Sequence, residues 1–479
     1  MYNGVNAPET TRMTIRGWAL LTIAAYCLLM LAIGIWATRR TRDSGDFFLS
    51  GRRLGPWIVA LAQGATQSSA WTLAGVSGAA FLWGRAAVWL WVSVVAGYLV
   101  NWLWIAPRLR HLSAEAGSLT LVQLLFGGPG RRRLRRVASA IILVSFLFYV
   151  AAQFEAAGHA FSVALDLPVA TCVVIGAALT VAYTLAGGFW AASVTDFAQG
   201  LLMLVVAIAL PVAGWFAVGG YDGIAAAVAT ADAAPDRPAA VGGAAFVLGT
   251  FGIGLGAPGQ PHVVNHFMAA RDDAAIRRGG IIAIAWIALI LAGMLIVGWA
   301  GRGLATLPQN PETVLYAGAQ AWLPPVFAAI VTVAVMSAIM STVDSQLITA
   351  TSSITVDTDA RSGAAELSRA RGALLAFSMF AVLLAVWAPE AIYSRVLFAW
   401  NALGAAFGPL VVLAVLGRAP APRAAGAGML TGFLLTIVFY LAPDAPGDVL
   451  ERIVPFFAAL LLVVALGHRP ARLPGSGSG

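Results

Sequence analysis

Lysine is absent: all 29 basic residues are arginine. A phosphate-binding P-loop needs its lysine on the nucleotide, and a Schiff-base enzyme needs an amine nucleophile, so both classes are excluded. Cysteine is nearly absent. Cys27 and Cys172 both fall in apolar runs and form no metal or disulfide pattern. Charge is the third scarcity, at 10% of the chain against roughly 25% in ordinary soluble domains. So few charges cannot clothe a water-soluble surface of 479 residues, of which 60% are apolar. The composition specifies a polytopic, all-α membrane protein. It excludes a soluble enzyme, a disordered chain and a disulfide scaffold.

Stretches of about 20 apolar residues cross a bilayer as helices. They predict thirteen spans: 17–37, 55–80, 86–106, 137–161, 167–187, 194–218, 242–268, 279–300, 324–350, 371–388, 394–416, 425–442 and 452–467. The first is too long for a signal-peptide core and is followed by Arg39, Arg40 and Arg42, so it reads as a retained helix. One set of loops holds 22 of the 29 arginines, and only Arg12, Arg16, Arg85, Arg237, Arg302, Arg395 and Arg452 fall in the other. Arginine stays on the cytoplasmic side, so the N-terminus is expected outside and the C-terminus in the cytoplasm. The run RRRLRR (131–136) is then a topology anchor beside anionic lipid, not a nucleic-acid patch. The weakly polar segments 219–241 and 301–323 are expected as short helices over the outer face, with no soluble domain. The GSGSG run at 475–479 reads as an appended linker.

Two spans differ from the rest. Span 2 reads ALAQGATQSSAWTLAGVSGAA (60–80) and span 7 reads GTFGIGLGAPGQPHVVNHFMAA (249–270). Irregular backbone in lipid costs several kcal/mol unless it lines a protein-enclosed cavity. Paired interrupted spans in two halves of a chain therefore point to a transporter site. Here they begin two five-span blocks, spans 2–6 (55–241) and 7–11 (242–416), of opposite orientation: an inverted repeat. Residues 1–54 add an extra helix and loop, and 417–474 add two C-terminal helices. Gly254 to Gly259 matches a dinucleotide G-x-G-x-x-G, but it lies inside a span and contains Pro258, so it is the broken segment and not a nucleotide loop.

Ionisable groups inside spans are candidate functional groups. Asp344 lies in span 9 with Ser341, Thr342, Ser345 and Gln346, a set of oxygens suited to a hard cation such as Na⁺. Asp196, by position, reads as a charge at the start of span 6, favoured by the helix dipole. Glu155 is expected near the outer interface, and Asp166 in an outer loop. His262 and His266 have metal-ligand spacing without a third ligand, so capping or packing contacts are expected.

The stretches DFFLSGRRLGPWIVAL (46–61), YTLAGGFWAASVTDFAQ (183–199), GQPHVVNHFMAA (259–270) and AIMSTVDSQL (338–347) resemble the solute:sodium symporter family, most of all its bacterial proline-transporting branch. The resemblance covers all thirteen spans. It implies a LeuT-type fold of five plus five helices and Na⁺-coupled uptake of a small organic solute, an amino acid such as proline or another zwitterion or organic acid. It implies a multi-pass protein of the bacterial inner membrane, monomeric, with a solute and the lipid bilayer as partners. It also implies a Na⁺ site of Ala65, Ser68, Ala338, Ser341 and Thr342. A second cation or proton site would use Asp196, Asp344 and Ser345 beside Ser341. Solute would bind near Gln67, Ser69, Trp71, Tyr149, Gln153, Ile253, Ala257 and Gln260. The chain departs from the branch in placing Gln67 where an Asp is usual, and Ile253 and Ala257 where aromatic residues are usual. The vacated volume suits a larger or differently shaped solute. Two alternatives stay open: proton coupling through Asp344 and Asp196, and a transporter-like solute receptor acting with a signalling partner.

Overall fold

The structure is a computed structural model that describes residues 9–38, 44–128, 130–165, 167–235, 237–238, 240–357, 364–387, 392–442 and 448–470. Asp166 and the 475–479 run lie outside these residues. Helix α1 (Glu9–Thr38) covers the first predicted span, and the short α2 (Ser44–Leu49) follows it. Span 2 is two helices, α3 (Pro56–Gln67) and α4 (Val76–Trp83), joined through an extended Ser68 and a π-helical turn at Trp71–Gly75. Helices α5 (Val88–Val100) and α6 (Ala106–Glu115) form span 3 and its extension, and the short α7 (Leu121–Phe126) leads to α8 (Arg132–Leu165), which is span 4.

Spans 5 and 6 do not separate by a loop. They are the two helices of α9 (Val169–Ala217), which meet at a kink at Gly188, whose φ of 58° and ψ of −148° are closed to other residues. A Cβ there would also fall 2.5 Å from Phe47 Cδ2, so the absent side chain admits the α2 segment. The short α10 (Gly220–Asp232) leads to span 7, again two helices: α11 (Ala244–Leu255) and α12 (Pro261–Ala269), separated by a single turn at Ala257–Gly259. Helix α13 (Asp273–Gly301) is capped by Asp272, whose Oδ1 accepts from Ala275 N at 2.6 Å. Then come α14 (Val314–Trp322), α15 (Pro325–Thr355), α16 (Ala364–Trp387) and α17 (Ile392–Val415). The strand β1 (Arg418–Pro420) pairs antiparallel with β2 (His468–Pro470), and α18 (Pro422–Tyr440) and α19 (Val449–Ala465) lie between them in sequence. Proline opens α3, α12, α15 and α18, where a missing N–H is harmless.

Nine helical segments among the described residues are long and apolar enough to cross a membrane. That count takes α9 as one and leaves out the broken α3 and α11–α12, because interruption shortens each half. The outward surface carries Leu28 at 68% exposure, Ile35 at 66% and Phe216 at 75%, an apolar coat that water would not tolerate but lipid requires. The core sits around α9, which packs against α1, α3, α8, α13 and α15. It encloses the broken midpoint of α3, and α12 closes against α15 beside it.

Candidate functional site

Breaking α3 frees its last carbonyls. The Ala65 carbonyl accepts Ser68 N–H and the Ser341 hydroxyl of α15, each at 3.0 Å. The Ala338 carbonyl accepts from Ser341 Oγ at 3.1 Å and from Thr342 Oγ1 at 3.0 Å. Ser68 Oγ is buried with no hydrogen-bond partner. The structure thus brings Ala65, Ser68, Ala338, Ser341 and Thr342 together where α3 breaks against α15. Every donor atom is a neutral oxygen, the set a weakly bound hard cation prefers.

One turn along α15 lies a second polar cluster, also fully buried. Thr66 Oγ1 donates to Asp196 Oδ2 at 3.0 Å and lies 3.1 Å from Ser345 Oγ. Tyr183 OH donates to Asp344 Oδ2 at 2.9 Å. Asp196 Oδ1 and Asp344 Oδ1 have no partner. Asp196 is therefore no helix-terminal charge: it lies inside the second half of α9, eight residues past the Gly188 kink, at 0% exposure. His266 Nε2 stands 3.9 Å from Asp196 Oδ2, and its Nδ1 is 3.2 Å from the His262 carbonyl. His262 packs its ring against Phe146 and Tyr149. The two histidines make packing and backbone contacts, as their spacing without a third ligand implied. No group of three or more metal-ligating His, Cys, Asp or Glu side chains exists among the described residues. Glu155, expected near the outer interface, is buried against the protein at 6% exposure.

Beside the α3 break lies a small cavity of about 40 Å³. Of the residues expected to meet the solute, Gln67, Ser69, Trp71, Tyr149, Ile253 and Ala257 line it. Gln153 and Gln260 do not. Gln153 is buried without hydrogen bonds, and Gln260 braces the span 7 break by donating to Gly256 O at 3.1 Å and Trp400 O at 2.8 Å. Ser69 caps the second half of span 2, its Oγ accepting from Trp71 N at 3.2 Å. Trp400 went unseen in the sequence. It lines the cavity from α17 and donates from Nε1 to the Ile253 carbonyl at 3.0 Å, supplying an aromatic wall where Ile253 and Ala257 supply none. Thr66 and Tyr183 also went unseen, because hydroxyls bonded within or between helices carry no spacing signal.

This architecture, two broken helices around a buried oxygen-rich site and an uncharged cavity, is that of a transporter. Residues 47–432 match the model of the sodium:solute symporter family. The chain is 34% identical over 452 residues to the high-affinity proline transporter PutP of Bacillus subtilis, covering 91% of this chain and 94% of that one. It is 34% identical over 439 residues to the sodium/proline symporter of Escherichia coli, covering 88% and 87%. A Na⁺-coupled sialic acid symporter shares the fold with a TM-score of 0.77, at 17% identity and over 95% of this chain and 99% of that one. Mhp1, a nucleobase-cation-symport-1 family transporter, gives a TM-score of 0.52 at 11% identity, over 88% and 93%. The chain belongs to the sodium:solute symporter family. It is a multi-pass membrane transporter and not an enzyme.

Proposed function

We propose that the protein takes up a small zwitterionic solute of the amino-acid class, proline or a near relative, by Na⁺-coupled alternating access across the bacterial inner membrane. In this reading thirteen spans cross the membrane with the N-terminus outside. Residues 55–241 and 242–416 are the inverted repeats. Na⁺ binds at Ala65, Ser68, Ala338, Ser341 and Thr342, and its arrival orders the α3 break that forms one wall of the solute cavity. Asp196, Asp344 and Ser345, with Thr66, hold a second cation or a proton. Gln67, Ser69, Trp71, Tyr149, Ile253 and Ala257 meet the solute, while Gln260 acts by holding the wall.

The observation that carries this reading is the Ser341 hydroxyl on the Ala65 carbonyl at 3.0 Å, which joins the broken helix to α15 next to the cavity. The proline transporters among the relatives support the solute class. Neither purely proton-driven transport nor a receptor role draws support from the relatives described above. One Na⁺ moving through 100 mV contributes ~2.3 kcal/mol, enough for a roughly fifty-fold solute gradient.

The test is uptake of radiolabelled proline and other zwitterions into proteoliposomes at clamped voltage. Uptake should require an inward Na⁺ gradient and ignore a pH gradient. Uptake that persists without Na⁺ and follows pH would overturn the coupling assignment.

A further inference from the structure

Gln67 ends α3 at the cavity wall and makes one hydrogen bond, its Oε1 accepting from Gln63 Nε2 at 2.5 Å. Gln63, one turn earlier and 1% exposed, accepts in turn from Trp102 Nε1 at 3.1 Å. An indole N–H can only donate. Gln63 must therefore turn its oxygen to Trp102 and its NH₂ to Gln67. Gln67 must answer with its own oxygen, and its NH₂ is left for the cavity. The orientation of an amide is usually open to a flip. Here the donor-only end of the chain removes that freedom, and Trp102 is itself locked, 1% exposed and edge-on to Phe267 at 4.9 Å.

We propose that the Trp102–Gln63–Gln67 relay is a specificity determinant of the cavity, fixing Gln67 as an N–H donor that receives the carboxylate end of a zwitterionic solute. The solute half rests on the transport reading above; the polarity of the relay does not. No residue lining the cavity is charged, so a net-neutral solute enters without leaving an unmatched side-chain charge. Trp71, Tyr149 and Trp400 are the aromatic groups available to its ammonium end. Gln63 and Trp102 touch no solute and act as positioning residues. An apolar side chain at position 67 would offer the carboxylate no donor.

Two readouts decide the proposal. The first is competition against the bound zwitterion by L-proline and by L-prolinol, which keeps the ammonium and lacks the carboxylate. The wild type should prefer L-proline by roughly ten- to a hundredfold, the size of a hydrogen bond to a charged group. Gln67→Leu, which removes the donor, should abolish that preference, and Gln63→Leu, which leaves every cavity-lining residue in place, should shrink it. An unchanged preference in Gln67→Leu overturns the proposal.

The second readout needs no solute. In ¹⁵N-indole-labelled protein in nanodiscs, the Trp102 N–H resonance, assigned by its loss in Trp102→Phe, should move upfield in Gln63→Leu and move less, in the same direction, in Gln67→Leu. A Trp102 resonance unmoved by Gln63→Leu overturns the relay. If the relay resonance behaves as expected and neither L-proline nor any other zwitterion binds, the solute class under the transport reading fails while the relay stands.

Discussion

Asp357, two residues past the end of α15, offers a pH dependence whose sign can be worked out. Its carboxylate is 1% exposed, and Oδ1 accepts from Thr120 Oγ1 at 2.6 Å while Oδ2 has no partner. Burial pushes its pKa from 3.8 up to about 7; the Thr120 hydrogen bond and Arg135 pull the other way without cancelling it. Below pH ~4 the group is protonated in both folded and unfolded chains and costs nothing. Between about pH 4 and 7 the unfolded chain has released the proton that the folded one retains, so stability falls as pH rises. Above pH ~7 both forms are ionised and the full cost stands. A rise of about three pH units corresponds to roughly 4 kcal/mol. Asp357→Asn keeps an oxygen for Thr120 and removes the charge. In thermal unfolding from pH 4 to 8 at constant ionic strength, the variant should match the wild type near pH 4 and exceed it increasingly up to pH 7. Parallel curves for the two proteins would refute the reasoning.

Other consequences follow from the geometry of the breaks. Gln260→Leu strips hydrogen bonds from the Gly256 and Trp400 carbonyls and should cost about 2–4 kcal/mol in denaturant or thermal unfolding. Gly404→Ala would set a Cβ 2.5 Å from Gly256 Cα, backbone against backbone, and should lower stability by about 1–3 kcal/mol with loss of uptake. Thr66→Val conserves shape but removes the hydroxyl on Asp196 Oδ2. If that cluster holds a second cation, the half-saturating Na⁺ concentration for uptake should rise several-fold, and an unchanged value would remove Thr66 from the coupling site.

The positions of the helices were legible because hydropathy is nearly all that lipid asks of a sequence. The two breaks were legible because Gly, Ser and Pro crowded at mid-span weaken a continuous helix where lipid offers the freed backbone no partner. The oxygens of Ser341 and Thr342 were legible because they cluster with Asp344 and Ser345 inside an apolar span. What the sequence hid was long-range. Nothing local says that Trp400 reaches the Ile253 carbonyl or that Tyr183 reaches Asp344, since both partners are more than 140 residues away. The boundary between spans 5 and 6 has a local cause: Gly188 leaves the helical region and kinks the chain one residue past the predicted end of span 5. Asp196 was legible as an acid but not as a buried one, because carboxylates commonly stand at helix starts, where the dipole favours them. Gln153 and Gln260 show the limit of the family resemblance, which put both near the solute but could not say which way each amide points.

The central claim is that Na⁺ binds between the α3 break and α15. Thermal unfolding of the purified protein against Na⁺ and K⁺ tests it most directly, since a ligand of the folded state at a hundred times its Kd adds about 2.7 kcal/mol of stability. The account predicts a saturable rise in Tm with Na⁺ and none with K⁺ at equal ionic strength, abolished when Ser341→Ala and Thr342→Ala are combined. Equal shifts with both ions, or a full Na⁺ shift in the double variant, would contradict it.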